Sequence, residues 1–159
     1  MNNVLLQLGS NMGNSKVQLA YAQRLIKEKI GNIHSASSLY DTVPWGNVSQ
    51  HNFLNQVIGI YTKLNTYKLI DTILAIEEQM GRVRNELYGP RIIDIDVLFF
   101  NDEIINQRKL TVPHPLINQR RFVLEPLVEM VPDFIHPQFN KTMLQLLAEC
   151  TDTLNVQKI

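Results

Sequence analysis

Twice along this chain an apolar strand leads into an amphipathic helix and then into another strand, and that order restricts the fold more than any other feature. Residues 4–8 read as a short apolar strand, ended by the turn signal Gly9-Ser10-Asn11-Met12-Gly13-Asn14. Ser15 is expected to cap a helix over residues 15–30, with Val17, Leu19, Ala20, Ala22, Leu25 and Ile26 on its apolar side. Gly31-Asn32 stops it. Residues 33–40 and 53–63 read as the second and third strands. Thr66 precedes a second helix over residues 67–80, with Leu69, Ile70, Ile73, Leu74 and Ile76 on its buried side. Residues 92–100 form the fourth strand, residues 110–112 a short extended piece, and helices over 121–131 and 142–149 complete the chain. The pattern predicts an α+β fold, a ferredoxin-like βαββαβ sandwich with an antiparallel sheet, helices on one side of it and extra C-terminal helices.

Composition narrows the functional classes. The 159 residues show no repeat or linker, so one domain over 1–159 is expected. Fifteen basic residues balance fifteen acidic ones, which gives no global attraction to nucleic acid or to an anionic membrane. Arg82, Arg84, Arg91, Arg120 and Arg121 nevertheless fall within one stretch, which predicts a local cationic surface. Cys150 is the only cysteine, so an internal disulfide framework and a cysteine-based zinc site are excluded. No signal peptide is visible, and no apolar run approaches the ~18 residues needed to span a bilayer. A reduced, cytoplasmic protein with no obligate protein partner is expected.

Asp94 and Asp96 stand two apart on the fourth strand, so both carboxylates should share one face about 6.5–7 Å apart. Ile93, Ile95, Val97 and Phe99 should face the other way into the core, leaving Ile92, Leu98 and Phe100 with the aspartates. Two like charges so placed call for a cation between them, and magnesium suits carboxylate ligation completed by substrate phosphates. The competing reading is that each Asp pairs with an arginine at the strand entrance. Arg82, Arg84 and Arg91 surround the pair in excess of what neutralisation needs, and guanidinium groups bind phosphate oxygens in a bidentate manner. A polyphosphate with its metal fits that excess.

His114 is held between prolines in Thr111-Val112-Pro113-His114-Pro115, with Arg120, Arg121 and Phe122 opening the next helix. A helix N-terminus with arginines can hold an anion, so a phosphate contact is expected there; a purely structural His is the alternative. The polar loop over residues 41–52 carries the only tryptophan, in Thr42-Val43-Pro44-Trp45-Gly46, and leads into Phe53-Leu54-Asn55. Loops of this length in compact domains are commonly functional. An Asn amide suits the edge of a heterocycle and aromatic rings suit its face; otherwise Trp45 and Phe53 simply seal a core edge.

Taken together, these pieces resemble the 6-hydroxymethyl-7,8-dihydropterin pyrophosphokinase family of the folate pathway. The similarity runs in order through Leu8-Gly9-Ser10-Asn11-Met12-Gly13, Tyr40 to Gly46, Phe53-Leu54-Asn55 and Glu77 to Arg84. It continues through Gly89-Pro90-Arg91-Ile92-Ile93-Asp94-Ile95-Asp96 and Val112-Pro113-His114-Pro115 to Leu124-Glu125-Pro126-Leu127. The resemblance implies transfer of the β,γ-pyrophosphoryl group of ATP to the hydroxymethyl oxygen of the dihydropterin, with release of AMP. It implies two magnesium ions on Asp94 and Asp96, and ATP or phosphate contacts from Arg82, Arg91, His114 and Arg120. Arg84 belongs by the same similarity to a catalytic loop. Thr42, Val43 and Trp45 are implied to line the pterin pocket, Asn55 to read the pterin edge, and Phe53 and Phe122 to stack on its faces. Glu77 matches a motif position without an implied role.

The chain departs from the family where Arg-Trp usually precedes Gly-Pro-Arg: Leu87-Tyr88 stand there, which predicts weaker closure of that loop. Two rivals remain at this stage. A D-x-D metal site also occurs in nucleotide-sugar glycosyltransferases, which are longer and have no place for V-P-H-P. A ferredoxin-like RNA-binding module would show stacking aromatics on its sheet and no acidic pair beside arginines.

Overall fold

The apolar residues near the N-terminus extend into a nine-residue strand, β1 (Asn2–Ser10), whose alternation feeds two cores. The computed structural model describes residues 1–46, 49–83 and 89–159. Val4, Leu6 and Leu8 point to one face of the sheet and Leu5 to the other, with Gln7 on Leu5's side.

Helix α1 (Ser15–Lys29) is capped by Asn14, whose side-chain oxygen accepts from Val17 N at 3.3 Å. Ser15, the expected cap, instead donates to the Ser10 carbonyl, so the helix begins one position beyond its true cap. Leu19, Ala22, Leu25 and Ile26 are buried, whereas Val17 and Ala20 lie on the solvent side. In α2 (Thr66–Gln79) Asn65 is the cap, and Leu69, Ile73, Ile76 and the carboxylate residue Glu77 form its buried stripe.

The expected second strand is two strands. β2 (Gly31–Ala36) and β3 (Tyr40–Thr42) pair with successive stretches of β4 (Phe53–Thr62). Ser37 stitches the break, its Oγ accepting from Val57 N at 3.0 Å and its carbonyl from Gln56 Nε2 at 2.8 Å. With β5 (Asp94–Phe100) on the far edge, the order runs β5-β1-β4-β3, with β2 also on β4 and every pair antiparallel. Counting β2 and β3 as one strand gives the ferredoxin-like arrangement. β8 (Val156–Lys158) was not foreseen, and it lengthens the sheet beside β3.

One-sided helical cover is corrected. α1 and α2 close the core built on Val4, Leu6, Ile58, Ile60 and Ile95. On the opposite face, α3 (Arg121–Met130) and α4 (Met143–Glu149) pack Val123, Leu124, Leu127, Met143 and Leu146 onto Leu5, Val57, Leu98 and Phe99. α4 opens on a capping box between Thr142 and Gln145. The expected extended piece is β7 (Thr111–Val112), paired with β6 (Ile105–Asn106) and followed by a cis Val112–Pro113 bond.

β5 carries a bulge that changes one sequence expectation. Leu5 pairs with Phe99 and Leu6 with Val97, so Leu98 is the extra residue. The strict alternation breaks there: Phe99 joins Leu98 under the C-terminal helices, and Phe100 enters the α1–α2 core. Among the described residues, no helix is long and apolar enough to cross a membrane.

Candidate active site

At the C-terminal end of β1 the sheet face under α3 and α4 is left open by a residue without a side chain. Asp94, Gly9 and Asn55 lie in one row across β5, β1 and β4, and Asp96, Gln7 and Val57 in the next. An ideal Cβ on Gly9 would stand 2.5 Å from Asn55 Oδ1, so the amide leans directly over the glycine. The resulting cavity has a volume of about 600 Å³.

Every described residue to which the family resemblance gives a role lines it. Thr42, Val43 and Trp45 come from β3 and the loop after it, Phe53 and Asn55 from β4, and Arg82 from the turn after α2. Arg91, Asp94 and Asp96 come from β5 and its approach, His114 from the turn after β7, and Arg120 and Phe122 from the start of α3. Arg84, Leu87 and Tyr88 lie outside the described residues. Arg121 turns away. Its backbone N–H and Nε donate to Asp152, and its Nη1 to Glu125, so Asp152 already occupies the N-terminus of α3 that was expected to receive an anion.

The two aspartates differ sharply. Asp94 is paired as the competing reading supposed: Oδ1 accepts from Arg82 Nη1 at 2.8 Å and Oδ2 from Arg91 Nη1 at 3.0 Å. Arg82 Nη1 also reaches Glu77 Oε2, which accepts the backbone N–H of Ile95 at 2.9 Å. Glu77 thereby fixes the backbone between the two aspartates, and Asp94 and Glu77 raise the Arg82 pKa against the opposing effect of burial. Asp96 has no ion pair among the described residues. Burial and then the neighbouring Asp94 push its carboxyl up to about 7.

His114 is lowered to about 4, by burial first and then by the Arg120 guanidinium, with Asp94 acting in the opposite direction. Its Nδ1 accepts from Leu116 N at 3.2 Å, so the neutral ring carries its proton on Nε2. His114 is then a neutral donor suited to an anionic oxygen. The Arg120 guanidinium carbon lies 4.6 Å from the centre of the Trp45 ring and 5.6 Å from that of Phe122, and Arg91 lies 5.8 Å from that of Phe53. Planar cations therefore face the aromatic groups that are suited to a flat heterocycle. Asn55 donates to Thr42 Oγ1 at 2.6 Å, which leaves its Oδ1 as the acceptor over Gly9.

Sequence reading missed Gln7, Lys109 and an aliphatic wall of Ile70, Ile73 and Leu74, all of which line the cavity. Leu74, expected in the core, is 37% exposed because it belongs to this wall. The i, i+3, i+4, i+7 stripe ending in Glu77 was the available signal for the wall.

A sequence model of the 7,8-dihydro-6-hydroxymethylpterin-pyrophosphokinase (HPPK) family matches residues 5–132. This chain belongs to that family. Among its HPPK relatives, the 2-amino-4-hydroxy-6-hydroxymethyldihydropteridine pyrophosphokinase of Aquifex aeolicus is 37% identical over 95% of this chain and 94% of its own length. The enzyme of the same name from Bacillus subtilis is 40% identical over 82% of this chain and 79% of its own. A crystal structure of Plasmodium falciparum HPPK-DHPS superposes with a TM-score of 0.79 at 21% identity, which shows a shared fold. The match covers 93% of this chain but only 43% of that longer one.

Two predictions arise from this HPPK-family cavity. Gly9→Ala forces Asn55, tethered by Thr42, out of position. Pterin affinity should fall about tenfold or more, while affinity for an ATP analogue stays within about twofold; fluorescence titration of each ligand checks this. The second concerns pH. Folding raises the Asp96 pKa from 3.8 to about 7, so the folded state holds that proton more tightly than the unfolded chain. The associated stability is present below the unfolded value and lost as pH rises through the folded one. Depression of His114 acts oppositely, giving stability above its unfolded value of 6.5 that is lost as pH falls towards about 4. The comparison with Asp96→Asn isolates the carboxylate. In metal-free buffer the melting temperature of the unsubstituted chain, minus that of Asp96→Asn, should become more negative from pH 4 to 7. A constant or rising difference contradicts the assignment.

Proposed function

We infer that this chain transfers the pyrophosphoryl group of ATP to the hydroxymethyl oxygen of 6-hydroxymethyl-7,8-dihydropterin, releasing AMP, in folate biosynthesis, and that the 600 Å³ cavity is where it does so. The observation that carries the assignment of the site is the convergence of the Asp94–Asp96 pair, three arginines and a neutral His114 on one cavity that also holds Phe53, Asn55 and Phe122.

Asp94 and Asp96 are the groups that would hold magnesium. Among the described residues no third His, Cys, Asp or Glu completes an all-protein metal site. Two carboxylates with the remaining positions left to phosphate oxygens and water suit magnesium bound together with a nucleotide. Two such ions are proposed, as the paired carboxylates and a triphosphate together supply enough oxygen ligands. Bound there, magnesium would neutralise the triphosphate and orient the entering alcohol. The protein's own contribution is positioning and charge. Arg82 and Arg91 exchange Asp94 for phosphate oxygens, and His114 donates Nε2–H to an anionic oxygen. Arg120 leaves the face of Trp45 to do the same, and Phe53, Phe122 and Asn55 hold the heterocycle so that its hydroxymethyl oxygen meets the β-phosphorus in line. Thr42, Val43 and Trp45 form the rim of that slot, Arg84 is proposed to act with Arg82, and residues 1–159 are proposed to work as one catalytic unit. No residue of this arrangement is assigned as a general base for the hydroxyl proton.

Incubation with ATP, magnesium and the hydroxymethyldihydropterin tests the reading. Pterin-dependent formation of AMP is expected. ADP, or no nucleotide product, would overturn it.

A further inference from the structure

Gln7 is the polar side chain that the chemistry described above leaves unused. It is 4% exposed, and neither its Oε1 nor its Nε2 has a hydrogen-bond partner. A buried carboxamide in that state is costly, and in a stable protein it calls for a reason. Its position supplies one: Gln7 lies between Asp96 on β5 and Val57 on β4, two residues before Gly9 on the same face, and it lines the cavity.

We propose that Gln7 is a substrate-binding residue whose carboxamide hydrogen-bonds the polar edge of the bound heterocycle at the inner end of the slot. The inference rests on the pterin pyrophosphokinase reading and goes beyond it by assigning a specificity contact. Three candidate ligands differ in what they satisfy. A cation takes Oε1 and leaves the Nε2 protons unmade; a phosphate oxygen takes those protons and leaves Oε1. An amide-type ring edge, with a carbonyl beside an N–H, satisfies both at once. Asn55 already commits one of its two Nδ2 protons to Thr42 Oγ1, whereas neither polar atom of the Gln7 carboxamide is engaged. Gln7 also makes no hydrogen bond to Asp96 although the two are direct cross-strand neighbours, whose side chains share a face. The carboxamide is therefore not committed to the carboxylate.

The test is equilibrium binding by the full chain, with 6-hydroxymethylpterin as the fluorescent probe in the presence of magnesium and a non-hydrolysable ATP analogue. Gln7→Leu and Gln7→Ala, each confirmed folded by thermal melting, should raise the pterin Kd about tenfold or more. The Kd of the ATP analogue should stay within about twofold of the parent. A pteridine that keeps the hydroxymethyl group but lacks the ring carbonyl should bind the parent more weakly than the pterin does. That penalty should shrink in Gln7→Leu. An unchanged pterin Kd in the variants overturns the proposal, as does a loss confined to the ATP analogue. If either variant fails to fold, the carbonyl-lacking pteridine still decides, because equal binding of both pteridines by the parent rejects the contact. Failure of the parent to bind pterin at all overturns the pyrophosphokinase reading itself, and this inference with it.

Discussion

In the Asp96→Ala variant, pterin-dependent AMP formation falls by about a thousandfold or more, which corresponds to roughly 4 kcal/mol of lost transition-state stabilisation. The protein stays folded and, in metal-free buffer near neutral pH, loses no stability. Both halves of this expectation come from the same fact. Asp96 is half-buried beside Asp94 without an ion pair among the described residues, and its carboxyl is held up to about 7. A group so placed costs the empty protein stability whenever it ionises, and it is worth keeping only for what it binds. Asp94→Ala should remove a similar share of activity but also destabilise the chain, since Arg82 and Arg91 would both lose a carboxylate partner at 2.8 and 3.0 Å. Single-turnover rates with saturating substrates, set beside thermal melts without metal, separate the two cases. Residual activity within tenfold of the parent would remove Asp96 from the site.

The second large effect belongs to a residue that need not touch substrate. Glu77→Ala should lower stability by roughly 3–5 kcal/mol, a drop in melting temperature on the order of 10 °C. The buried carboxylate accepts from the Ile95 backbone at 2.9 Å and from Arg82, so its loss strands a backbone donor and a cation together. Glu77→Gln keeps an acceptor for Ile95 and should fall between parent and alanine. Because Ile95 lies between Asp94 and Asp96, the same change should raise the magnesium concentration needed for half-maximal activity. Destabilisation without a change in that magnesium requirement would confine Glu77 to a purely structural part.

Much of this was legible because it is local. The Gly-Pro-Arg-Ile-Ile-Asp-Ile-Asp run sets its own strand and the shared face of its aspartates, and the strand–helix order is written in short-range periodicity. What escaped reading depends on partners distant in the chain. The expected second strand splits because Ser37 bonds to Val57, twenty residues on, and β8 exists only where β3 offers an edge. Arg120 and Arg121 look equivalent in a list of basic residues, yet the step from the extended cap to the first helical residue sends the first to Trp45 and the second to Asp152. Gln7 reads as an interruption in an apolar strand until the register sets it beside Asp96. Asp94 shows the limit from the other side. Pairing with arginine and holding a metal are alternatives on paper, whereas in the protein the arginines are the partners a nucleotide would displace.

The bulge at Leu98 bears on how the gene for such a chain can change length. Because the extra residue sits between the aspartates and the end of β5, it acts as a phase-shifter: the N-terminal half of the strand presents Asp94 and Asp96 to the cavity while the C-terminal half is set independently to bury Phe99 and Phe100 on opposite sides. Deleting the Leu98 codon would remove the extra residue and let the strand alternate without a break: Phe99 would still face Leu5 under the C-terminal helices, and Phe100 would still enter the α1–α2 core beside Val4. A one-residue change made elsewhere in the strand, with the bulge kept, would instead turn the side chains on one side of the change onto the wrong face. The bulge is therefore the place where β5 can lose a single residue without losing its register.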